Sequence, residues 1–297
     1  MTRPRNLALV ALSVGIGFQG GTAPQARSAV LATNGKIAFA SARSGNQDIF
    51  TMNADGSGQA QVTHDPTVSF RPAWSPDGTR IAFVGTREEN TDIFVMNADG
   101  TGETRLTTDP AIDDQPAWSP DGTKIAFAST RPGPEQVFVM NADGSGQTQV
   151  TSDAGGESQP AWSPDGTRIA FVSRRTGNPD IFVMAPDGSN PVQLTTDPET
   201  DSQPAWSPDG TRLAFVSTRT GVAEIWLMSL DGSGQQRLTI DAALDVDPEW
   251  SPDGTKIAFT STRDGNADVY VMLADGSGQT RYTTNPANDE APSWQAR

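Results

Sequence analysis

Residues 159–171 read Gln-Pro-Ala-Trp-Ser-Pro-Asp-Gly-Thr-Arg-Ile-Ala-Phe, and residues 180–184 add Asp-Ile-Phe-Val-Met. Close variants of both segments return every 44 residues along the chain. The clearest marker of this period is a tryptophan at six equivalent positions: Trp74, Trp118, Trp162, Trp206, Trp250 and Trp294. A constant period of this length indicates a repeat architecture in which each copy forms one structural unit. Residues 34–297 hold six such copies.

Each copy predicts four short antiparallel strands. Residues 159–162 form an extended segment that ends in Ser-Pro-Asp-Gly, whose proline and glycine positions suit a type I turn. Residues 168–173 and 180–184 are rich in β-branched and aromatic residues and predict the next two strands. An Asp-Gly hairpin signal then precedes a fourth strand at 192–195. Six copies of this unit predict an all-β protein, a six-bladed β-propeller with four antiparallel strands per blade.

The two ends of the repeat region predict how the ring closes. The first copy starts at Asn34 and goes directly into Lys36-Ile-Ala-Phe39, without a preceding Pro-Ala-Trp strand. The chain ends just after Ala291-Pro-Ser-Trp294, which is a Pro-Ala-Trp type strand without the rest of its copy. We therefore expect the C-terminal strand to join the N-terminal blade, which closes the ring and removes open sheet edges.

The first 32 residues are of a different kind. Arg3 and Arg5 precede an apolar run at 7–18, and small residues follow, which is the layout of a secretory signal peptide cleaved between positions 23 and 32. The apolar run is short for a bilayer span, although an uncleaved N-terminal anchor is the alternative. We expect the domain at 33–297 to be periplasmic or secreted, with no membrane insertion after signal removal.

Composition removes several classes of function. The chain has 36 acidic and 21 basic side chains, a net charge of −15, which argues against a nucleic-acid partner. There is no cysteine, so thiolate metal sites and cysteine nucleophiles are excluded. His64 is the single histidine, so one chain cannot build a site with several histidine ligands.

The repeated Pro-Ala-Trp-Ser-Pro-Asp-Gly-Thr-Arg-Ile-Ala-Phe, followed by Asp-Ile-Phe-Val-Met-Asn-Ala-Asp-Gly-Ser-Gly, resembles the propeller repeat of the TolB family. The resemblance covers residues 34–297 and implies a six-bladed propeller. TolB is the periplasmic partner in the Tol–Pal envelope system, but stand-alone propellers and propellers fused to prolyl-oligopeptidase-type hydrolases share the same repeat. TolB also has an N-terminal α/β domain, where only a signal peptide fits here. The resemblance is therefore to the propeller alone.

The columns of the repeat predict both packing and charge pairing. We expect the tryptophan, phenylalanine and methionine columns to pack neighbouring blades against one another. An arginine follows the second strand in every copy, and an acid opens the third strand in most copies. We expect the two to form hairpin salt bridges; the acids are Asp48, Asp92, Asp180, Glu224 and Asp268.

One face of the predicted disc varies between copies. The loops between the second and third strands differ in every copy, at residues 44–47, 88–91, 132–135, 176–179, 220–223 and 264–267. A uniform scaffold with variable loops is how binding surfaces are commonly presented. On the same face the innermost strands begin with acids, which predict an acidic ring at the mouth of the central channel: Asp113, Glu157, Asp201, Asp245, Asp289, Asp114, Asp247 and Glu290. Such a ring suits a cation, or a basic or N-terminal peptide segment. The alternative is that these acids only keep the protein soluble.

These observations favour a monomeric, non-catalytic binding or scaffolding propeller in the cell envelope, with an envelope protein or peptide as partner. We expect reversal of Glu157, Asp201 and Asp245 to lysine to weaken binding without affecting folding. This interpretation requires no cofactor. The alternative is a Ca²⁺-dependent, lactonase-like hydrolase with its site at the channel mouth, where oxygen ligands would hold the ion. Against an enzyme, the chain has no Gly-x-Ser-x-Gly motif. A purely structural module that binds no discrete ligand is the third option.

Overall fold

The computed structural model describes residues 33–297. The predicted signal peptide at 1–32 lies outside them. The described chain forms six antiparallel sheets of four strands each, which confirms the six-bladed β-propeller. It contains no helix that is long and apolar enough to cross a membrane.

The strands follow the repeat. Blades 1 to 3 contain β24 (Asp289–Ala296), β1 (Asn34–Ser41), β2 (Asp48–Met52) and β3 (Ala60–Gln61); β4 (Ser69–Trp74), β5 (Arg80–Arg87), β6 (Asn90–Asn97) and β7 (Thr104–Arg105); and β8 (Asp113–Trp118), β9 (Lys124–Ser129), β10 (Gln136–Asn141) and β11 (Thr148–Gln149). Blades 4 to 6 contain β12 (Glu157–Trp162), β13 (Ile169–Ser173), β14 (Asp180–Met184) and β15 (Val192–Gln193); β16 (Asp201–Trp206), β17 (Arg212–Ser217), β18 (Glu224–Ser229) and β19 (Gln236–Arg237); and β20 (Asp245–Trp250), β21 (Lys256–Ser261), β22 (Asp268–Leu273) and β23 (Thr280–Arg281).

The ring closes as predicted. The C-terminal strand β24 pairs with β1, with Trp294 opposite Ile37, so the first blade takes its innermost strand from the end of the chain. Backbone hydrogen bonds between Thr33 and Arg297 run in both directions, at 2.8 and 3.0 Å. The side-chain amide of Gln295 donates to the Gly78 carbonyl of blade 2 at 2.7 Å, so the last strand also fastens two blades together.

Neighbouring blades share their hydrophobic cores. Trp118 and Phe127 of blade 3 lie in one cluster with Ala82 and Val84 of blade 2. The phenylalanine of the second strand is fully buried in every blade, and each such side chain stabilises the fold by about 1.5–3 kcal/mol. The predicted packing columns are therefore confirmed. Two of the six column tryptophans also donate an indole N–H to the preceding blade, Trp118 to the Ala73 carbonyl and Trp206 to the Ala161 carbonyl.

Each innermost strand carries a bulge where it passes the channel. In blade 4, Ser158 and Ala161 pair with β13, and the ladder is irregular between them. Gln159 lies at this bulge with a φ of 54°, in the left-handed region that non-glycine residues rarely occupy. The equivalent residue of every blade has a φ between 50° and 60°: Arg71, Gln115, Gln159, Gln203, Asp247 and Ala291. These six residues are called the bulge ring.

Candidate functional site at the channel mouth

The arginine that follows the second strand binds a different acid from the one predicted. In blade 5, Arg219 Nη2 contacts both carboxylate oxygens of Asp201 at 3.0 and 2.9 Å, and its Nε donates to Ser217 Oγ. Asp201 opens the innermost strand and its side chain is fully buried. The same pairing occurs in five blades: Arg43 with Asp289, Arg131 with Asp113, Arg175 with Glu157, Arg219 with Asp201, and Arg263 with Asp245.

The predicted hairpin salt bridges are therefore wrong. The acid that opens the third strand is bound instead by residues of the fourth strand and the threonine that follows it. In blade 2, Asp92 pairs with Arg105 and accepts a hydrogen bond from Thr107 Oγ1 at 3.0 Å. The arginine of the second strand lies over a phenylalanine ring instead, as Arg87 of the same blade does over Phe94 at 5.1 Å.

Five of the eight predicted ring residues thus have no free carboxylate at the channel. Asp113, Glu157, Asp201, Asp245 and Asp289 are fully buried and paired with arginine. Breaking a buried ion pair from one side leaves an uncompensated charge and costs about 3–5 kcal/mol. The expectation that reversing such residues to lysine leaves folding unaffected is corrected accordingly.

The other three predicted residues, Asp114, Asp247 and Glu290, lie in the innermost strands, and Asp247 lines the cavity at the channel mouth. Two residues that the prediction left out join them. Arg71 forms an ion pair with Asp114, and its guanidinium is 38% exposed. Glu135, from the variable loop of blade 3, lies within electrostatic reach of both Asp114 and Arg71. These five residues are called the mouth cluster.

Burial raises the pKa of three carboxyl groups of the mouth cluster, those of Glu135, Asp247 and Glu290. Desolvation raises the pKa of Glu135, the neighbouring charge of Asp114 adds to the shift, and Arg174 and Arg71 oppose it. Desolvation likewise raises the pKa of Glu290, with a further contribution from Asp247. Desolvation also raises the pKa of Asp247, against a hydrogen bond from Thr260 and the charge of Arg71. The carboxylates therefore lie close enough together to repel one another.

A chain of glutamines holds the bulge ring in place. The side-chain oxygen of Gln115 accepts the Gln159 backbone N–H at 2.6 Å, and that of Gln159 accepts the Gln203 N–H at 2.8 Å. Gln203 then accepts the Asp247 N–H at 2.9 Å, and its side-chain amide donates to an Asp247 carboxylate oxygen at 2.6 Å. Unfavourable backbone conformations held by their surroundings cluster at functional sites. The six equivalent positions of the bulge ring hold Arg, Gln, Gln, Gln, Asp and Ala. The backbone is therefore sixfold symmetric, but the side chains it carries are not.

Part of the variable-loop sequence is structural. Asn178 Nδ2 donates to the carbonyls of Asp197 and Glu199 at 2.9 and 2.8 Å, which fastens the loop to the following inter-blade connection. Asn46 and Asn266 do the same in their blades. Blade 2 differs, because its hairpin stays paired as far as Arg87 and Asn90. Its two turn residues are glutamates, and the Glu88 side chain is 89% exposed.

Glu249 is a third residue that the sequence analysis missed. It replaces the alanine or serine that precedes the tryptophan in every other copy, and it lines the bore of the channel. Desolvation alone raises the pKa of its carboxyl to about 7. Glu249 and Arg71 could both have been found as single departures from a column of the repeat.

The geometry adds no ligand set for Ca²⁺. Among residues 33–297 no three acidic or histidine side chains come close enough together to hold a metal ion. Ca²⁺ takes about 6–8 oxygen ligands.

Comparison with known proteins was made on the sequence and on the fold. The TolB beta propeller domain model matches residues 58–155, 116–204, 145–242 and 199–297. TolB from Acinetobacter baumannii has a TM-score of 0.81 at 21% identity, over 89% of this chain and 67% of that chain. A protein described as TolB from Agrobacterium tumefaciens gives 0.70 at 25% identity, over 85% and 89%.

Hydrazine synthase from Kuenenia stuttgartiensis gives a TM-score of 0.74 at 18% identity, over 89% of this chain and 47% of that chain. At this identity, and at that of the Acinetobacter protein, the likeness shows the fold alone. A search of curated protein sequences found no match.

Proposed function

The chain belongs to the TolB β-propeller family, and on that premise we propose that it is a non-catalytic binding propeller of the cell envelope, periplasmic or secreted. Its channel mouth holds a segment of an envelope protein or peptide. The N-terminal sequence supports export, because basic residues, an apolar run and small residues follow one another there as in a signal peptide.

The observation that carries this proposal is the asymmetry of the mouth cluster on a symmetric ring. Turn and core positions repeat almost unchanged in all six blades, as the demands of turns and packing require. The bulge ring does not repeat, although its backbone does. A sixfold scaffold has no structural need for one arginine and one aspartate at equivalent positions. Selection for a ligand that lacks sixfold symmetry accounts for both.

The charges of the mouth cluster define the partner chemistry. Burial raises the pKa of Glu290 and the charge of Asp247 raises it further, so a positively charged group placed beside these two carboxylates is stabilised. Arg71 and the glutamine side chains line the same opening and offer hydrogen-bond donors. A peptide segment with a lysine, arginine or free amino terminus meets both requirements. Electrostatic attraction of this kind sets the association rate and the choice of partner more than the total affinity.

The test is a cross-linked pull-down from the envelope fraction of the source, with the full chain as bait. The mouth variant carries Asp247→Asn and Glu290→Gln, which remove charge and keep shape. The matched control carries Asp143→Asn and Asp187→Asn in exposed turns on the opposite face, where asparagine also suits the turn. We expect one partner to be enriched by the native chain and by the control, and lost with the mouth variant. A partner retained equally by all three baits would contradict binding at the mouth.

A further inference from the structure

The bore of the propeller holds a second cavity of about 330 Å³, on the side of the Ser-Pro-Asp-Gly turns. Its wall is built from the Pro-Ala-Trp segments of the innermost strands and from turn residues such as Pro76 and Pro120. Glu249 is the only charged residue in its lining, and it also borders the cavity at the mouth. This second cavity is called the vestibule.

The vestibule exists because the residues that precede the tryptophans are small. In five blades this residue is alanine or serine: Ala73, Ala117, Ala161, Ala205 and Ser293. The sixth blade has Glu249 at the equivalent position of its innermost strand, because Glu249 pairs with Ala258 as Ala205 pairs with Ala214. The carboxylate therefore projects into space that five small side chains leave open.

Nothing in the described chain neutralises this carboxylate. No hydrogen bond or salt bridge to Glu249 occurs among residues 33–297, and desolvation alone acts on its ionisation. Arg71, which lines the adjoining mouth cavity, is paired with Asp114 and acts on Asp247. An unpaired carboxylate in a confined site costs stability, and an alanine, as in four of the other copies, would avoid that cost. Stability lost in this way is typical of residues retained for function.

The rest of the lining also favours a donor-rich ligand. Each Pro-Ala-Trp segment has a proline, which has no N–H, so the walls have more backbone acceptors than donors. An ammonium group has three donors and no acceptor, and its charge matches one carboxylate. The vestibule volume suits a small organic molecule.

From these observations we propose that the vestibule binds a small organic monocation, a primary amine in its ammonium form, with Glu249 as its counter-ion. The vestibule meets the mouth cavity at Glu249, but none of the five mouth-cluster residues lines it, so the inference does not depend on the partner proposed for the mouth. The neutral side chains around Glu249 bind the body of the ligand, and the carboxylate selects its charge.

The experiment is calorimetric titration of the full chain with benzylamine and with benzyl alcohol, its neutral analogue, in a buffer free of amines. We expect saturable benzylamine binding at about one site per chain. We expect binding of the alcohol to be at least about tenfold weaker, because it lacks the charge. Glu249→Gln should weaken benzylamine binding by about tenfold or more and leave alcohol binding unchanged. Asp247→Asn, at the mouth, should alter neither.

Tryptophan emission gives a second readout, because Trp118, Trp162 and Trp206 line the vestibule. Glu249→Ala restores the residue found in most copies and serves as a second variant that folds at least as stably. Equal benzylamine binding by the native chain and both variants would overturn the proposal. So would the absence of saturable binding in the millimolar range, or a response to Ca²⁺ alone.

Discussion

Asp113 and Asp114 are adjacent in the chain and have opposite roles. The Asp113 side chain is fully buried and contacts Arg131 at 2.5 Å, and acid–arginine pairs at the equivalent positions of four other blades repeat the contact. Asp114 is partly exposed, pairs with Arg71 at the channel mouth, and has an acidic counterpart in one other copy, Glu290. In a repeat protein, a charge that recurs in most copies marks the scaffold, and a charge that breaks the repeat marks a candidate site.

Loss of one of the recurring acid–arginine pairs is expected to have the largest effect on stability. Asp201→Lys places a buried cation against Arg219, and we expect a loss of about 3–5 kcal/mol or more in the free energy of unfolding, measured by denaturant titration. Asp201→Ser is the matched control, because blade 2 has Ser69 at this position and its Oγ accepts from Arg87 at 3.1 Å. An unchanged midpoint for the lysine variant would mean that the acid–arginine pairs do not support the scaffold.

The second prediction concerns Glu249, a charge without a counterpart in any other copy. Its pKa is raised from 4.5 to about 7 in the folded chain. Between these values the folded state keeps the proton that the unfolded state has released, so stability falls as pH rises from about 4.5 to about 7. Below about pH 4.5 both states are protonated and the penalty vanishes.

Glu249→Gln removes the titration and nearly preserves the shape. We expect the free energy of unfolding of this variant, relative to that of the native chain, to increase by about 1–3 kcal/mol between pH 4.5 and pH 7.5. Contact with channel water keeps this difference below the value that the full pKa shift of Glu249 would give. Urea denaturation at several pH values measures this difference. A difference that stays constant with pH would show that the Glu249 carboxyl titrates normally.

The fold was predictable from the sequence because turn chemistry and core periodicity recur six times and reinforce one another. The closure by β24 followed from the missing strand of the first copy. The partners of the charged residues were not predictable. Asp201 and Glu224 both open strands next to the one that Arg219 follows, and the sequence does not indicate which of them it binds. In the structure the Arg219 guanidinium binds Asp201 and lies over Phe215 and Trp226, an arrangement that depends on packing.

The site was predictable only in part, for a related reason. A search for recurring acids selected Asp113 and its counterparts, which the scaffold uses. A search for departures from each column selects Arg71, Asp247 and Glu249. The direction in which these side chains point was still hidden, because it depends on the bulge and the positive φ at Asp247 and its equivalents.

The smallest expected effect concerns the two mouth carboxylates Asp247 and Glu290. The charge of Asp247 contributes to the raised pKa of Glu290, so Asp247→Asn should move that pKa back toward its ordinary value. We expect the free energy of unfolding to change by no more than about 1 kcal/mol, because removal of a desolvated charge is offset by weaker hydrogen bonds from Gln203 and Thr260. Carboxyl NMR titration of Glu290 measures the shift, with Asp143→Asn as the control that leaves it in place. If the Glu290 pKa does not move, the two carboxylates do not interact across the blade boundary. A cation would then not be stabilised by the two charges together. A downward shift would show that the mouth charges act together while the scaffold is indifferent to them, which is the behaviour expected of a ligand site and not of a structural pair.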